Sequence, residues 1–346
     1  MEKMPKSNDG GAIMSEYSGE WDPRVLKPHL KATIDKILYS VATGRQRHAV
    51  EAVSEVFEEV KNPEVICIDS GIKKVEKKVK GSFGLVDSFI MGMALGSNGK
   101  YIRADDVDEY WDSPAPFLVR GLGKQKLIKE CIARGKDFYF MDTGYVGNNP
   151  CITNPNGKKI YHRIVKNALQ NLHMPDREGP TADRDYGSGR WNSLGIQIKD
   201  WVPGRKILIV PPSEKVMKYF EEDLDQWLET TVKELKKHTK RPIFIRKKPS
   251  REDRVSVNTI EQALADDVHC LVTYNSIAAV EAMLYGKPAL VLGPNCAQDL
   301  AETKLERIEF VEHPGRKAVT YLCRYLANNQ FTYEEMLSGY AWSQLK

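Results

Sequence analysis

The sequence predicts an α/β protein made of two doubly wound units. Two observations carry this. Strand-length apolar runs alternate with helix-length amphipathic runs twice over, with a Gly, Pro, Asn and Asp-rich stretch between the two series. The strand runs are also apolar on both faces, the pattern of parallel sheets covered by helices. At 346 residues the chain exceeds what one hydrophobic core usually supports.

The first 15 or so residues are polar and are expected to fray, about the length typical of loose termini. From Pro23 to Val60 the apolar residues recur at helical spacing, giving two amphipathic helices broken near Thr43-Gly44. VICID (Val65 to Asp69) is a strand, KKVEKKVKG a charged connector, and Ser82 to Leu95 a helix. APFLVRGLG is a strand entering a glycine turn, KQKLIKECIARG a helix closed by Gly135, and DFYFMDTGYVG a further strand and turn. The stretch from Asn148 to Trp201 reads as functional loop or interdomain connection with one helix, IVKNALQNL.

The second series follows. RKILIVPP is a strand, VMKYFEEDLDQWLETTVKELKKH a long helical region, RPIFIRKKPS a strand and NTIEQALAD a helix. HCLVTYN is a strand, SIAAVEAMLYG a helix and PALVLGP a strand, and the tail from Arg316 is helical. The division is a loose terminus (1–20), an acceptor-binding unit (21–200), a donor-binding unit (201–315) and C-terminal helices (316–346) that pack back on the first unit.

Bulk composition narrows the function. A 41% hydrophobic and 28% charged chain is ordinary for a soluble enzyme. The net charge of +4 permits a polyanionic partner without requiring one. The six cysteines are scattered without a CxxC pair, which suits reduced thiols in a cytoplasmic protein. No His or Cys cluster has metal-ligand spacing, so no metal is expected. The start has no apolar signal region, and no run is long enough to span a bilayer. A P-loop is missing. Gly121, Gly123 and Lys124 open a GxGxxK run that ends at Lys126, an incomplete dinucleotide fingerprint that remains a candidate anion-binding turn.

The segment LVTYNSIAAVEAMLYGKPALVLGP holds the chemistry. In open α/β sheets ligands lie at the carboxyl ends of the strands. There Tyr274, Asn275 and Ser276 end a strand, Ser276 is placed to cap the next helix, and the slim Ala278 and Ala279 let a phosphate approach. Glu281 sits on a helix apolar nearly all round, where a carboxylate needs donors such as a ribose diol or a basic side chain. One strand upstream, Arg246, Lys247, Lys248 and Arg251 gather cations at the same rim.

The arrangement IFIRKKPSRE through LVTYNSIAAVEAMLYGKPALVLG resembles the C-terminal nucleotide-sugar domain of GT-B glycosyltransferases, above all their capsule-polysaccharide and phage-encoded branches. The resemblance covers about the last 140 residues. It implies two Rossmann-like domains facing a cleft, with Arg246 and Lys247 on the donor diphosphate, Ser276 at the phosphate and Glu281 on the ribose. Lys247-Lys248-Pro249 stands where those enzymes have a basic-His-Pro sequence, which leaves the particular phosphate ligand open. The N-terminal half, with GKDFYFMDTGYVGN followed by KKIYHRIVKNALQ, is similar to phage proteins that decorate hydroxymethylated DNA bases.

The reading is then a metal-independent glycosyltransferase with a nucleotide-sugar co-substrate, UDP-linked, and no cofactor. Its acceptor is a hydroxymethylpyrimidine of double-stranded DNA, and its location the host cytoplasm if phage-encoded. Asp142, with Asp69 as rival, is the expected catalytic base, because each ends a strand. Tyr139, Phe140 and Tyr145 beside Asp142 offer a stacking surface for an extruded base. Gly121, Gly123, Lys124, Gly144, Tyr145, His162 and Arg163 complete the acceptor and phosphate side, the last two at the start of a helix. The alternatives are a cell-surface or capsule glycan as acceptor, or a non-catalytic nucleotide- or DNA-binding protein.

Overall fold

A computed structural model describes residues 60–69, 83–147, 161–174, 188–248 and 259–346. The helices expected between residues 23 and 59, the charged connector, Cys151 and Arg251 lie outside these residues. In chain order the first series runs β1 (Ile66–Ile68), α1 (Phe83–Gly96), β2 (Lys100–Ile102), β3 (Phe117–Arg120), α2 (Gln125–Arg134), β4 (Phe138–Thr143) and β5 (His162–Lys166). After α3 (Ser188–Ser193) come β6 (Lys206–Ile209), α4 (Glu214–Tyr219), α5 (Leu224–His238), β7 (Ile243–Ile245), α6 (Ile260–Ala265), β8 (Val268–Thr273), α7 (Ala278–Leu284) and β9 (Ala289–Val291). The tail holds α8 (Arg316–Asn328), β10 (Gln330–Phe331), α9 (Tyr333–Leu337) and α10 (Tyr340–Leu345).

The two series make two sheets. The second, in the order β7-β6-β8-β9, is wholly parallel. The first, β10-β5-β4-β3-β1-β2, is mixed: β1 to β4 are parallel, while β5 and β10 run against their neighbours. The strands are apolar because helices cover both faces. α1 and the tail bury Leu118, Tyr139 and Met141 on one side of the first sheet, and α2 packs Ile128 and Cys131 against Phe117 and Phe140 on the other. In the second sheet α5 and the turn Leu305–Phe310 cover Ile207 and Val272, while α6, α7 and α8 cover Leu208 and Leu271.

Four expectations need correction. IVKNALQNL is not a helix: His162 to Lys166 is strand β5, paired with β4, and Asn167 turns the chain at φ 55°. The Asn167 side chain then accepts the Phe138 N–H at 2.9 Å, so local helical spacing yields to the open edge of β4. The first sheet is therefore not all parallel. The long helical region is two helices, because Glu221 takes φ 62° and Asp223 caps α5 through the Gln226 N–H. Last, the tail is not all helix: β10 enters the first sheet, and α9 and α10 sit on α1. Gly96 makes this docking possible, since a Cβ there would overlap the Met336 carbonyl oxygen. Among the described residues no helix is long and apolar enough to cross a membrane.

Candidate functional site

The strand β1 lies between β2 and β3, so the first sheet's topological switch is at the carboxyl ends of β1 and β3. Asp69 leaves β1 there. It is buried, accepts the Ala104 N–H at 3.0 Å and lies 3.7 Å from Lys124 Nζ. Gly121 turns out of β3 at φ 67°, and neither it nor Gly123 has an atom within 4 Å of where a Cβ would be.

One strand over is a denser cluster. Asp142 near the end of β4 faces Arg163 at 3.4 Å and Arg120 at 3.9 Å, with 32% of its side chain exposed. Burial is the largest influence on its carboxyl and pushes the pKa up, but Arg163 and Arg120, with the Thr143 N–H and His162, outweigh it and hold it below the usual range. Arg163 is itself tied down, donating from Nε to the Leu169 carbonyl at 3.1 Å and from Nη1 to the Thr143 carbonyl at 2.5 Å. His162 is buried with its ring 3.9 Å from that of Phe89 and its Nε2 3.5 Å from Arg120 Nη2. Burial and then Arg120 lower its pKa to about 3, so the ring is neutral near pH 7. A carboxylate between two guanidiniums is a weak proton acceptor, which counts against Asp142 as a base.

The aromatic residues beside Asp142 do not form a stacking surface. Phe140 is core, Tyr139 packs on Trp342 at 5.3 Å and bonds the Leu345 carbonyl, and Tyr145 is buried. The Tyr145 N–H donates to Gln330 Oε1 at 2.7 Å and its hydroxyl to Asn171 at 2.8 Å, while Gly144 donates to the Tyr161 carbonyl at 2.8 Å. Tyr139 and Phe140 alternate inward on the two faces of the central strand β4, and Tyr145 turns inward beyond its end.

On the second sheet, Asn275 and Ser276 follow β8. The hydrogen-bonded bounds of α7 begin at Ala278, but Ile277 before it already has helical φ and ψ, and Ser276 Oγ accepts the Ala278 N–H at 3.2 Å, the bond a capping serine makes. Every residue of the seven-residue α7 is buried, Glu281 included. Tyr274 does not join the rim. Its ring sits against Phe220 at 5.5 Å and Trp227 at 6.1 Å, over Gly293. Arg246 follows β7, its N–H bonded to the Ile209 carbonyl at 2.8 Å, and lines a cleft of about 410 Å³ with Lys206, Phe244, Gln262 and Asp266. Neither Ser276 nor Glu281 lines that cleft, and β6 separates β7 from β8. Lys247 and Lys248 are exposed.

The two carboxyl edges meet. Gln170, just past β5, donates to the Asn275 carbonyl at 2.6 Å and accepts the Cys296 N–H at 3.0 Å. Tyr219 and Phe220, at the end of α4 in the second unit, pack against the first unit's core, and Lys129 on α2 bonds Glu221 at 2.6 Å. Gln170 and Arg120 were not singled out from sequence, since neither belongs to a motif. Their signal is spatial. Among the described residues no group of three or more His, Cys, Asp or Glu could hold a metal.

No family model and no curated protein matches the chain. Among solved structures it is similar to Thermosulfurimonas dismutans KpsC, beta Kdo 2,4 transferase, at 10% identity and TM-score 0.38, over 80% of this chain and 98% of the other. It is similar also to Thermosulfurimonas dismutans KpsC, beta Kdo 2,7 transferase, at 12% identity and TM-score 0.43, over 82% and 99%. Likeness at that level identifies neither a fold family nor an activity.

Proposed function

We propose that this chain is a glycosyltransferase that moves a sugar from a nucleotide-sugar donor to a hydroxyl of a glycan. The observation that supports it is the meeting of two carboxyl edges. Gln170 touches Asn275, and on either side lie the Arg120–Asp142–Arg163 cluster and the Asn275–Ser276 turn with buried Glu281 behind it. Two opposed α/β edges are a natural place for donor and acceptor to be held in line.

In this reading Glu281 and the Asn275–Ser276 turn take the donor's ribose and phosphate. The leaving group is UDP, its charge met at that turn; Arg246, Lys247 and Lys248 lie across β6 from it and are left out of the donor site. The cationic rim of the first unit, Lys124, Arg120 and Arg163, orients the acceptor. A glycan is favoured over a flipped DNA base because Tyr139, Phe140 and Tyr145 are inside the protein and give a base nothing to stack on.

The test is turnover of a panel of uridine, guanosine and cytidine nucleotide sugars, with oligosaccharides and hydroxymethylated duplex DNA as parallel acceptors and products read by mass. Sugar on oligosaccharide is the expected result, and sugar on DNA restores the DNA acceptor. Glu281→Ala should weaken donor binding about 10- to 100-fold, as expected for losing hydrogen bonds to a buried charged group. Donor binding by the variant equal to wild type, or no donor bound or turned over by the wild type, rejects the reading.

A further inference from the structure

We propose that His173 and Asp299 form the general-base dyad of this transfer, an assignment that rests on the transferase reading above. The two residues come from different units: His173 follows β5, and Asp299 lies in the loop after β9. His173 Nδ1 is 3.0 Å from Asp299 Oδ1, and Asp299 Oδ2 accepts the Met174 N–H at 2.6 Å. Both carboxylate oxygens are thus occupied and the carboxylate is fixed. It fixes the ring in turn, with the proton on Nδ1 facing Asp299, while Nε2 keeps its lone pair and has the Gln298 side-chain Nε2 at 3.2 Å, a donor that the acceptor hydroxyl has to displace.

The accessibility suits the role. Asp299 is sheltered at 27% side-chain exposure while His173 is 75% exposed. The pair lines a cleft of about 470 Å³ with Leu292, Gly293, Gln298 and Thr303. That volume falls in the ordinary range for a small-ligand site, about 300–1,000 Å³. Leu292 and Gly293 directly follow β9, so the cleft opens at the same carboxyl edge of the second sheet as the proposed donor turn.

The dyad is also wired to that turn. Gln298 Nε2 lies 3.3 and 3.2 Å from the two ring nitrogens, and Gln298 Oε1 accepts the Asn295 N–H at 3.3 Å. Asn295 Nδ2 donates to the Ser276 carbonyl at 3.1 Å. A chain of hydrogen bonds therefore runs from the imidazole to Ser276. The strand-end carboxylate Asp142, by contrast, is neutralised by two arginines.

In the step assigned to the dyad, the acceptor hydroxyl oxygen forms its bond to the anomeric carbon as its proton passes to His173 Nε2. The bond from that carbon to the phosphate oxygen breaks, and its electron pair leaves with the nucleoside diphosphate. Asp299 stabilises the imidazolium, which then gives its proton to water.

The experiment compares wild type, His173→Gln and Asp299→Asn for donor binding by calorimetry, melting temperature, and kcat against pH with the nucleotide sugar and oligosaccharide that the panel identifies. In His173→Gln, kcat should fall about 10²- to 10⁴-fold with donor affinity and melting temperature unchanged, and the acid limb of the kcat profile should vanish. Asp299→Asn should fall about 10²-fold or more, because an amide facing Nδ1 favours the wrong tautomer. Wild-type turnover with full rate and an intact acid limb in His173→Gln overturns the dyad while leaving the transferase reading in place. A loss confined to donor binding or to melting temperature overturns it as well. A wild type without binding or turnover rejects the transferase reading itself.

Discussion

Replacing Arg163 by methionine keeps most of the side-chain volume and removes the guanidinium that organises the end of β4. Three interactions go: the 3.1 Å bond to the Leu169 carbonyl, the 2.5 Å bond to the Thr143 carbonyl, and the 3.4 Å pairing with Asp142. A hydrogen bond involving a charged group contributes about 1.5–3 kcal/mol, and breaking a buried ion pair costs about 3–5 kcal/mol. Asp142 is not abandoned, since Arg120 at 3.9 Å and the Thr143 N–H at 2.8 Å still serve it. The loss for Arg163→Met is therefore put at about 3–5 kcal/mol near pH 7. The sign with pH follows from Asp142. Its folded pKa is depressed, so its contribution is full above the unfolded value of about 3.9 and is lost as pH falls through the folded value. Arg163 is the strongest of the groups lowering it, so the gap between wild type and variant should narrow below about pH 4. Urea unfolding followed by tryptophan fluorescence, at pH 7 and at steps below 4, measures both. A loss under about 1 kcal/mol at pH 7, or a gap that widens in acid, refutes the reasoning.

Gly286→Ala should cost more than about 2 kcal/mol, because the residue sits at φ 72° and the new Cβ overlaps the Asp200 carbonyl oxygen; thermal unfolding reads the change, and an unshifted melting temperature contradicts it. His162, depressed to about 3, binds protons in the unfolded chain before it does in the folded one. Stability should therefore fall as pH drops from about 6.5 toward 3, by up to about 1.4 kcal/mol per pH unit. His162→Gln should flatten that slope in urea melts, and an unchanged slope rules His162 out as its source.

Legibility differed between the halves for a physical reason. β6, β8 and β9 are parallel strands buried by helices on both faces, so RKILIVPP, HCLVTYN and PALVLGP announce themselves as apolar runs punctuated by Pro, Asn and Gly. β5 has no such mark. HRIVK is short, holds two basic residues and a histidine, and becomes a strand because the edge of β4 lacks a partner. The site followed the same rule. Asp69 and Asp142 read as strand-ending acids, but the fate of Asp142 depends on Arg163 and Arg120 together, 21 and 22 positions away in sequence and each one strand away in space.

The amino-acid order by itself determined the alternation of strands and helices, the buried setting of Glu281 and the turns at Gly121 and Gly135, because each depends on local periodicity or on one residue's backbone freedom. Tertiary structure alone decided which charges neutralise one another, that Tyr139, Phe140 and Tyr145 face inward, and that Gln170 and His173 of one unit reach Asn275 and Asp299 of the other. Those outcomes depend on sheet order and on contacts between residues more than a hundred positions apart, which no local pattern encodes.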